Sequence, residues 1–347
     1  MRFFYLLFFM FLGFNCSNDR EQAPDVSNIS IQLNIHHFAD ELFQLDTLHL
    51  EAGLDQINKQ YPEWAALYFN RIMGIEMDVD SLNPVYIETV KQMLQDTFLR
   101  DVYQKSKTVF PDYKILEEDL IQSCKYLKYY FPKREQPDFV TLISGYAVGN
   151  FIYQEKNKKD VLGIGLDFFL GNEVNYKLVD PKNPAFSDYL NRTFNKEHLL
   201  KKTWQVYVED MLGPETGNQF LDYIIYNGKK LFILSKLIPQ IQDSVLFEYP
   251  QQKLNWCNEN KVGIWTYFLS ERLLYSTESL KFNKYINPSP NSPGMPSEAP
   301  GQTGAYIGYY IIKEFMKRHP QLSLEELIQM SDSQKILEDS KFKPKNN

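Results

Sequence analysis

Asp138-Phe139-Val140-Thr141-Leu142-Ile143-Ser144, followed by Gly145, is the run on which the fold turns, because it breaks a long helical pattern with a β-rich one. Val148-Gly149-Asn150-Phe151-Ile152-Tyr153 is a second strand candidate, and the polar Lys156-Asn157-Lys158-Lys159-Asp160 makes a charged turn behind it. The apolar run Val161–Leu170 is a third. Three strands joined by short polar turns predict an antiparallel meander.

Upstream, Ile29-Ser30-Ile31-Gln32-Leu33-Asn34-Ile35 alternates apolar and polar residues, which predicts one more strand with a single buried face. From Asp40 to about Tyr103 the pattern is helical, interrupted near Tyr61-Pro62 and Asn83-Pro84. Leu116, Leu120, Cys124, Leu127 and Phe131 then share one side of a helix that stops at Phe131-Pro132. Downstream of Pro184 the chain reads as helix almost throughout. Asn195 is an N-cap for a helix running to Leu212, before Gly213-Pro214. Further helices are expected over Phe220–Leu237, Gln251–Tyr275 and Gly301–Arg318. Between the last two, 287–300 carries five prolines and reads as a long exposed loop or lid. Few strands among many helices predict an α+β fold: one predominantly helical domain, 28–347, with a small antiparallel or mixed sheet.

The N-terminus supplies the location. Met1-Arg2 precedes an apolar run, Phe3 to Phe14, and then Asn15-Cys16-Ser17. That run falls short of the roughly 20 residues that span a bilayer, so residues 1–15 read as an export signal. An ordinary secretory signal with a chance cysteine is one reading. A thiol at the cut site favours the other, a lipoprotein whose new N-terminus, Cys16, carries acyl chains. The polar stretch 16–27 then serves as a flexible tether, and the mature domain lies in the cell envelope, held to a membrane by lipid and facing the periplasm.

Composition narrows the partners. The 347 residues carry 37 Lys and Arg against 44 Asp and Glu, a formal charge of −7 with no basic stripe, which argues against nucleic acid. Besides Cys16 only Cys124 and Cys257 occur, without a CxxC pair. A disulfide between them and buried free thiols are both open.

Catalytic patterns are missing from the sequence. The five histidines (His36, His37, His49, His198, His319) form no HExxH, and adjacent His36 and His37 point to opposite faces of a strand. There is no GxSxG elbow and no P-loop. Gly163-Ile164-Gly165 lacks the third glycine of a dinucleotide fingerprint and is better explained by close packing. Sequential pairs such as Glu117-Glu118, Glu209-Asp210 and Glu325-Glu326 fit solvated helix faces. Asp167 stands apart, because an acid inside an apolar run must meet solvent, a partner or a cavity. Gly304 and Gly308, one helical turn apart, cost about 1 kcal/mol each in helix propensity. Either a neighbouring helix needs that space, or the face is kept open for a ligand or partner.

Several segments together resemble one family. They are Cys124–Pro132, Gly163–Gly171, Tyr226-Asn227-Gly228-Lys229-Lys230-Leu231, Glu271–Thr277, Asn287-Pro288, Pro300–Gly308 and Ser340–Pro344. They resemble the gliding-motility-associated lipoprotein GldB family of Bacteroidota. The resemblance implies a lipid-anchored envelope protein needed for gliding motility, linked to the type IX secretion apparatus and its other components, with no established catalysis and no cofactor. The segment order also resembles predicted zinc peptidases of the zincin type. Here the corresponding helix has His198 without a partner four residues on, and Asn227 stands before Gly228, so a zincin-like fold would have lost its metal. Asp167, His198, Asn227, Gly304 and Gly308 mark a candidate cleft or partner surface. A non-enzymatic anchored component leads; a divergent hydrolase using Asp167, His198 or Glu209, and a peptide- or glycan-binding module closed by the 287–300 loop, are the alternatives.

Overall fold

The computed structural model describes residues 22–76 and 82–346; the signal segment, Cys16 and the first part of the tether lie outside these. The sheet has four strands, β1 (Ile35–His36), β2 (Asp138–Leu142), β3 (Phe151–Gln154) and β4 (Asp160–Gly165), in the order β1-β2-β4-β3. Before β2 come α1 (Phe38–Phe43), α2 (Leu50–Gln60), α3 (Pro62–Ala66), a π-helical turn (Leu67–Ile72), α4 (Pro84–Gln95), α5 (Thr97–Val109) and α6 (Lys114–Tyr130). After β4 come α7 (Asp188–Asn191), α8 (Lys196–Leu212), α9 (Phe220–Leu237), α10 (Asp243–Leu246), α11 (Gln251–Glu259), α12 (Lys261–Ser270), α13 (Ser279–Ile286), α14 (Thr303–Arg318), α15 (Leu324–Gln329) and α16 (Ser333–Ser340). One apolar core runs from Val26 to Ile336, so the chain is a single α+β body.

The expected meander is corrected to a mixed sheet. Only β3 and β4 form an antiparallel hairpin; β4 pairs on its other edge with β2, in parallel, and β1 is parallel to β2. Burial accounts for the order. β4 is the most apolar strand and takes a central place, with its two glycines making room on either side. A Cβ on Gly163 would lie 2.5 Å from the Phe151 ring, and one on Gly165 would lie 2.5 Å from the Val148 carbonyl oxygen. β4 ends at Gly165 rather than Leu170, because Leu166–Phe169 winds into a 3-10 turn.

The strand expected over Ile29–Ile35 pairs only at Ile35–His36. Register puts Ile35 opposite Phe139, and two residues earlier the same register would bring Leu33 against Pro137, which has no N–H to give. The alternation survives in burial, since Ile29, Ile31, Leu33 and Ile35 rest against the core while Ser30, Gln32 and Asn34 are exposed. Within 22–27, Val26 is buried, so this end of the expected tether lies on the body.

Helix ends follow their local signals closely. Asn195 caps α8, and α9 occupies the expected span. The single helix expected over Gln251–Tyr275 is two, broken at Asn260, and α14 begins at Thr303 after Gln302 adopts φ +60°. The 287–300 loop is fastened rather than free to act as a lid. Ser292 is buried and its Oγ donates to the Pro300 carbonyl at 2.6 Å, while the Tyr249 hydroxyl donates to the Gly301 carbonyl at 2.8 Å. Cys124 and Cys257 are both buried free thiols, and burial pushes Cys124 up to about 12.

Candidate functional site

The most unusual chemistry of the molecule lies along one face of α8. His198, Lys201, Lys202, Gln205 and Glu209 recur at helical spacing, so their side chains share a side. The helix starts where Asn195 Oδ1 accepts from the N–H groups of Glu197 and His198, at 3.1 and 3.3 Å. Opposite them is Glu248, buried between α10 and α11 at φ +55°. A non-glycine residue enters this left-handed region at a cost of roughly 1 kcal/mol. Its neighbours fix it there: Phe247 packs against Tyr306, Tyr309 and Tyr310 of α14, and Tyr249 reaches Gly301.

Three cations converge on Glu248. Lys201 Nζ lies 2.5 Å and Lys202 Nζ 2.7 Å from its Oε1. Arg192 donates from Nε and Nη2 to its backbone carbonyl, at 3.2 and 2.8 Å. The line continues outward: Lys201 Nζ also donates to Gln205 Oε1 (2.6 Å), Gln205 Nε2 donates to Glu209 Oε1 (2.9 Å), and Lys230 of α9 donates to the same oxygen (2.9 Å). Burial alone would raise the Glu248 carboxyl, but Lys201 and Lys202 outweigh it and hold the group well below the usual carboxylate range. Lys201 pays for its dry position, being pushed down to about 8 by burial against the pull of Glu248. His198, in the first turn of α8, is pushed down to about 4 by burial, and its Nδ1 lies 2.8 Å from Asn195 Oδ1. This arrangement ties α8 to the turn before α11 and to α9. Its acid is ionised and its imidazole neutral at pH 7, and both are already engaged.

Asp167 solves a different problem. Wholly buried on the 3-10 turn after β4, its Oδ2 accepts from Ser144 N (3.0 Å), Ser144 Oγ (3.0 Å) and Tyr146 N (2.7 Å). It thereby pins the turn after β2, where Gly145 and Tyr146 both have positive φ. Burial pushes its carboxyl up to about 6, against the lowering effect of those N–H donors.

The other residues singled out in the sequence stand elsewhere. Asn227 Nδ2 donates to the Tyr223 carbonyl of its own helix at 2.9 Å. Gly304 and Gly308 are buried contacts: a Cβ on Gly308 would lie 2.0 Å from the Ile224 carbonyl oxygen of α9, and one on Gly304 2.8 Å from the Tyr285 carbonyl oxygen of α13. Their small size therefore serves close helix packing, and no open face exists at either. Of the five, His198 alone borders the charged line. Sequence reasoning missed Lys201, Lys202 and Glu248, although Glu248 in Val245-Leu246-Phe247-Glu248-Tyr249 gives the same signal as Asp167, an acid inside an apolar run.

A surface cavity of about 380 Å³ lies apart from this line, bounded by Ser30, Ile31, Leu127, Lys128, Arg134, Glu135, Gln136 and Lys159. Among the described residues, no group of three or more His, Cys, Asp or Glu is placed to hold a metal ion, and no helix is long and apolar enough to cross a membrane.

Comparison with known proteins gives one positive finding: the family described as gliding motility protein GldB matches residues 19–344. No curated protein and no solved structure matches. The zincin-like expectation is thus without support, and Asn227 spends its amide on its own helix. The matched span includes the whole sheet, the charged line and the α9–α14 contact, so the chain belongs to the GldB family of gliding motility proteins.

Proposed function

We propose that this gliding motility protein works as a lipid-anchored, non-enzymatic component or assembly factor of the motility and type IX secretion machinery, held to an envelope membrane through Cys16. The family match over 19–344 carries the reading. The engagement of the candidate acids and bases supports the non-enzymatic part: Asp167 is bound by Ser144 and Tyr146, Glu209 by Gln205 and Lys230, and Glu248 by Lys201 and Lys202. In-frame deletion, scored for colony spreading and for secreted protein, tests it. Loss of both traits, restored by the wild-type gene but not by Cys16→Ala, is the expected result. Full rescue by Cys16→Ala would remove the anchor, and spreading lost on Glu209→Ala with folded protein retained would reopen a hydrolase.

A further inference from the structure

The chain enters the body at a defined place. Gln136 Nε2 donates to the Gln32 carbonyl at 2.6 Å, Asn34 Nδ2 donates to Asp138 Oδ2 at 2.7 Å, and Ile35 pairs with Phe139. The first two contacts share an offset of 104 residues and the strand pair keeps it, so residues 28–35 run beside 132–139, back toward the C-terminal end of α6. Ser30 and Ile31 accordingly border a cavity with Leu127 and Lys128 of that helix. The turn closed by the Ile29 N–H on the Val26 carbonyl, at 3.0 Å, keeps Val26 within about 7 Å of Ile29, and Ala23 still rests on the core.

That leaves a short free chain. Cys16 and Ala23 are seven positions apart, a reach of at most about 25 Å, whereas a folded body of this size is about 50 Å across. An anchor at Cys16 therefore fixes which end of the body meets the membrane. β2 begins at this end, after 131–137, and its parallel neighbour β4 begins here too, after the turn at 155–159. The carboxyl ends of these strands point the other way. There Tyr176 donates to the Asp167 carbonyl at 2.7 Å, and Leu178 beyond it is exposed.

The near end has interfacial chemistry. Tyr129 is half-exposed and sits edge-on to Tyr130, with ring centroids 5.0 Å apart, and Lys128, Pro132 and Lys133 around it are exposed. A tyrosine flanked by lysines suits the headgroup zone, where the ring meets acyl carbon and the ammonium groups reach phosphate. Net charge does not select this face, because Glu135, Asp138, Asp160 and Glu325 lie among Lys128, Arg134, Lys158 and Lys159. The tether does: so short a link sets an effective concentration of about millimolar or above, which keeps even a weak contact occupied. We infer that the C-terminal end of α6, with Tyr129 at its tip, rests on the headgroup zone of the membrane that holds Cys16. The inference rests on the anchor of the proposed function and adds to it an orientation and a contact surface.

The test supplies the lipid chemically, so it does not depend on whether the cell acylates Cys16; incorporation of labelled palmitate reports that separately. The chain from Cys16 is coupled through its terminal thiol to a maleimide lipid in phosphatidylcholine vesicles, Cys124 and Cys257 being buried. It is compared, by hydroxyl-radical footprinting, with the same chain capped at Cys16 in the presence of the same vesicles. Coupling should slow oxidation of Tyr129 about three-fold, as for a face docked most of the time, and leave Leu178 unchanged. Tyr130 and Ile31, beside it, should share the protection and lose it in Tyr129→Glu combined with Lys133→Glu, two exposed positions that leave the core untouched. Equal oxidation of Tyr129 in the coupled and capped chains, equal protection of Leu178, or protection that survives the double substitution would each overturn the inference.

Discussion

Glu248 and Asp167 are both buried carboxyl groups, and the protein stabilises them by opposite means. Glu248 meets two ammonium groups, which drive its acidity well below the usual range despite burial. Asp167 meets three neutral donors, which are not enough: burial leaves it at about 6. Opposite charge at contact distance outweighs desolvation, whereas a few oriented dipoles only reduce its cost. The charged solution joins helices distant in sequence; the dipolar one shapes a single turn.

The strongest way to break the contrast is Glu248→Gln, which strands Lys201 in the interior without a counter-charge. A loss of about 3–5 kcal/mol in denaturant unfolding is expected. Asp167→Ala comes next. It leaves the N–H groups of Ser144 and Tyr146 unpaired, while the Ser144 hydroxyl turns to the Val148 carbonyl at 3.2 Å, for a loss of about 2–3 kcal/mol, and the 144–148 turn should gain amide-exchange lability. Lys201→Met is milder, about 1 kcal/mol, because Lys202 still neutralises Glu248 and an apolar chain suits the site.

Asp167→Asn sharpens the comparison most finely. It keeps an acceptor toward Ser144 and Tyr146, so at pH 7 the change should stay within about 1 kcal/mol. Its signature is in the pH profile. Asp167 holds its proton more tightly folded than unfolded, so its contribution weakens stability as pH rises from 3.8 to about 6 and is constant above. Glu248 acts with the reverse sign, its stabilisation being complete above about 4.5 and fading as pH falls below it. Unfolding measured across this range should show the first slope vanish in Asp167→Asn and the second vanish in Glu248→Gln. Unchanged profiles in both would mean that neither carboxyl titrates as its surroundings dictate.

Much of the helical part was legible. Asn195 announced the start of α8, Gly213-Pro214 its end, and Phe131-Pro132 the end of α6. The close approach around Gly163 and Gly165 was also readable, since glycine inside a strand pattern signals a neighbour that needs space. The sheet was less so. Strand spacing gave the β3–β4 hairpin, but nothing local tells β4 to pass β3 and lie parallel to β2. In the site, Asp167 was flagged by its apolar neighbours, while Lys201 and Lys202 looked like ordinary helix-surface lysines.

By itself the sequence determined the end of α6, both ends of α8 and α9, the amphipathic faces, the short turn before β4 and the family, because caps, prolines, periodicity and clustered motifs act over a few residues. Tertiary structure alone decided that β1 pairs for two residues and leaves an open edge, that Gly308 abuts Ile224, and that Lys201 and Lys202 meet Glu248. Those outcomes depend on which surfaces exclude water together, and such pairings join residues whose separation along the chain leaves no periodic trace.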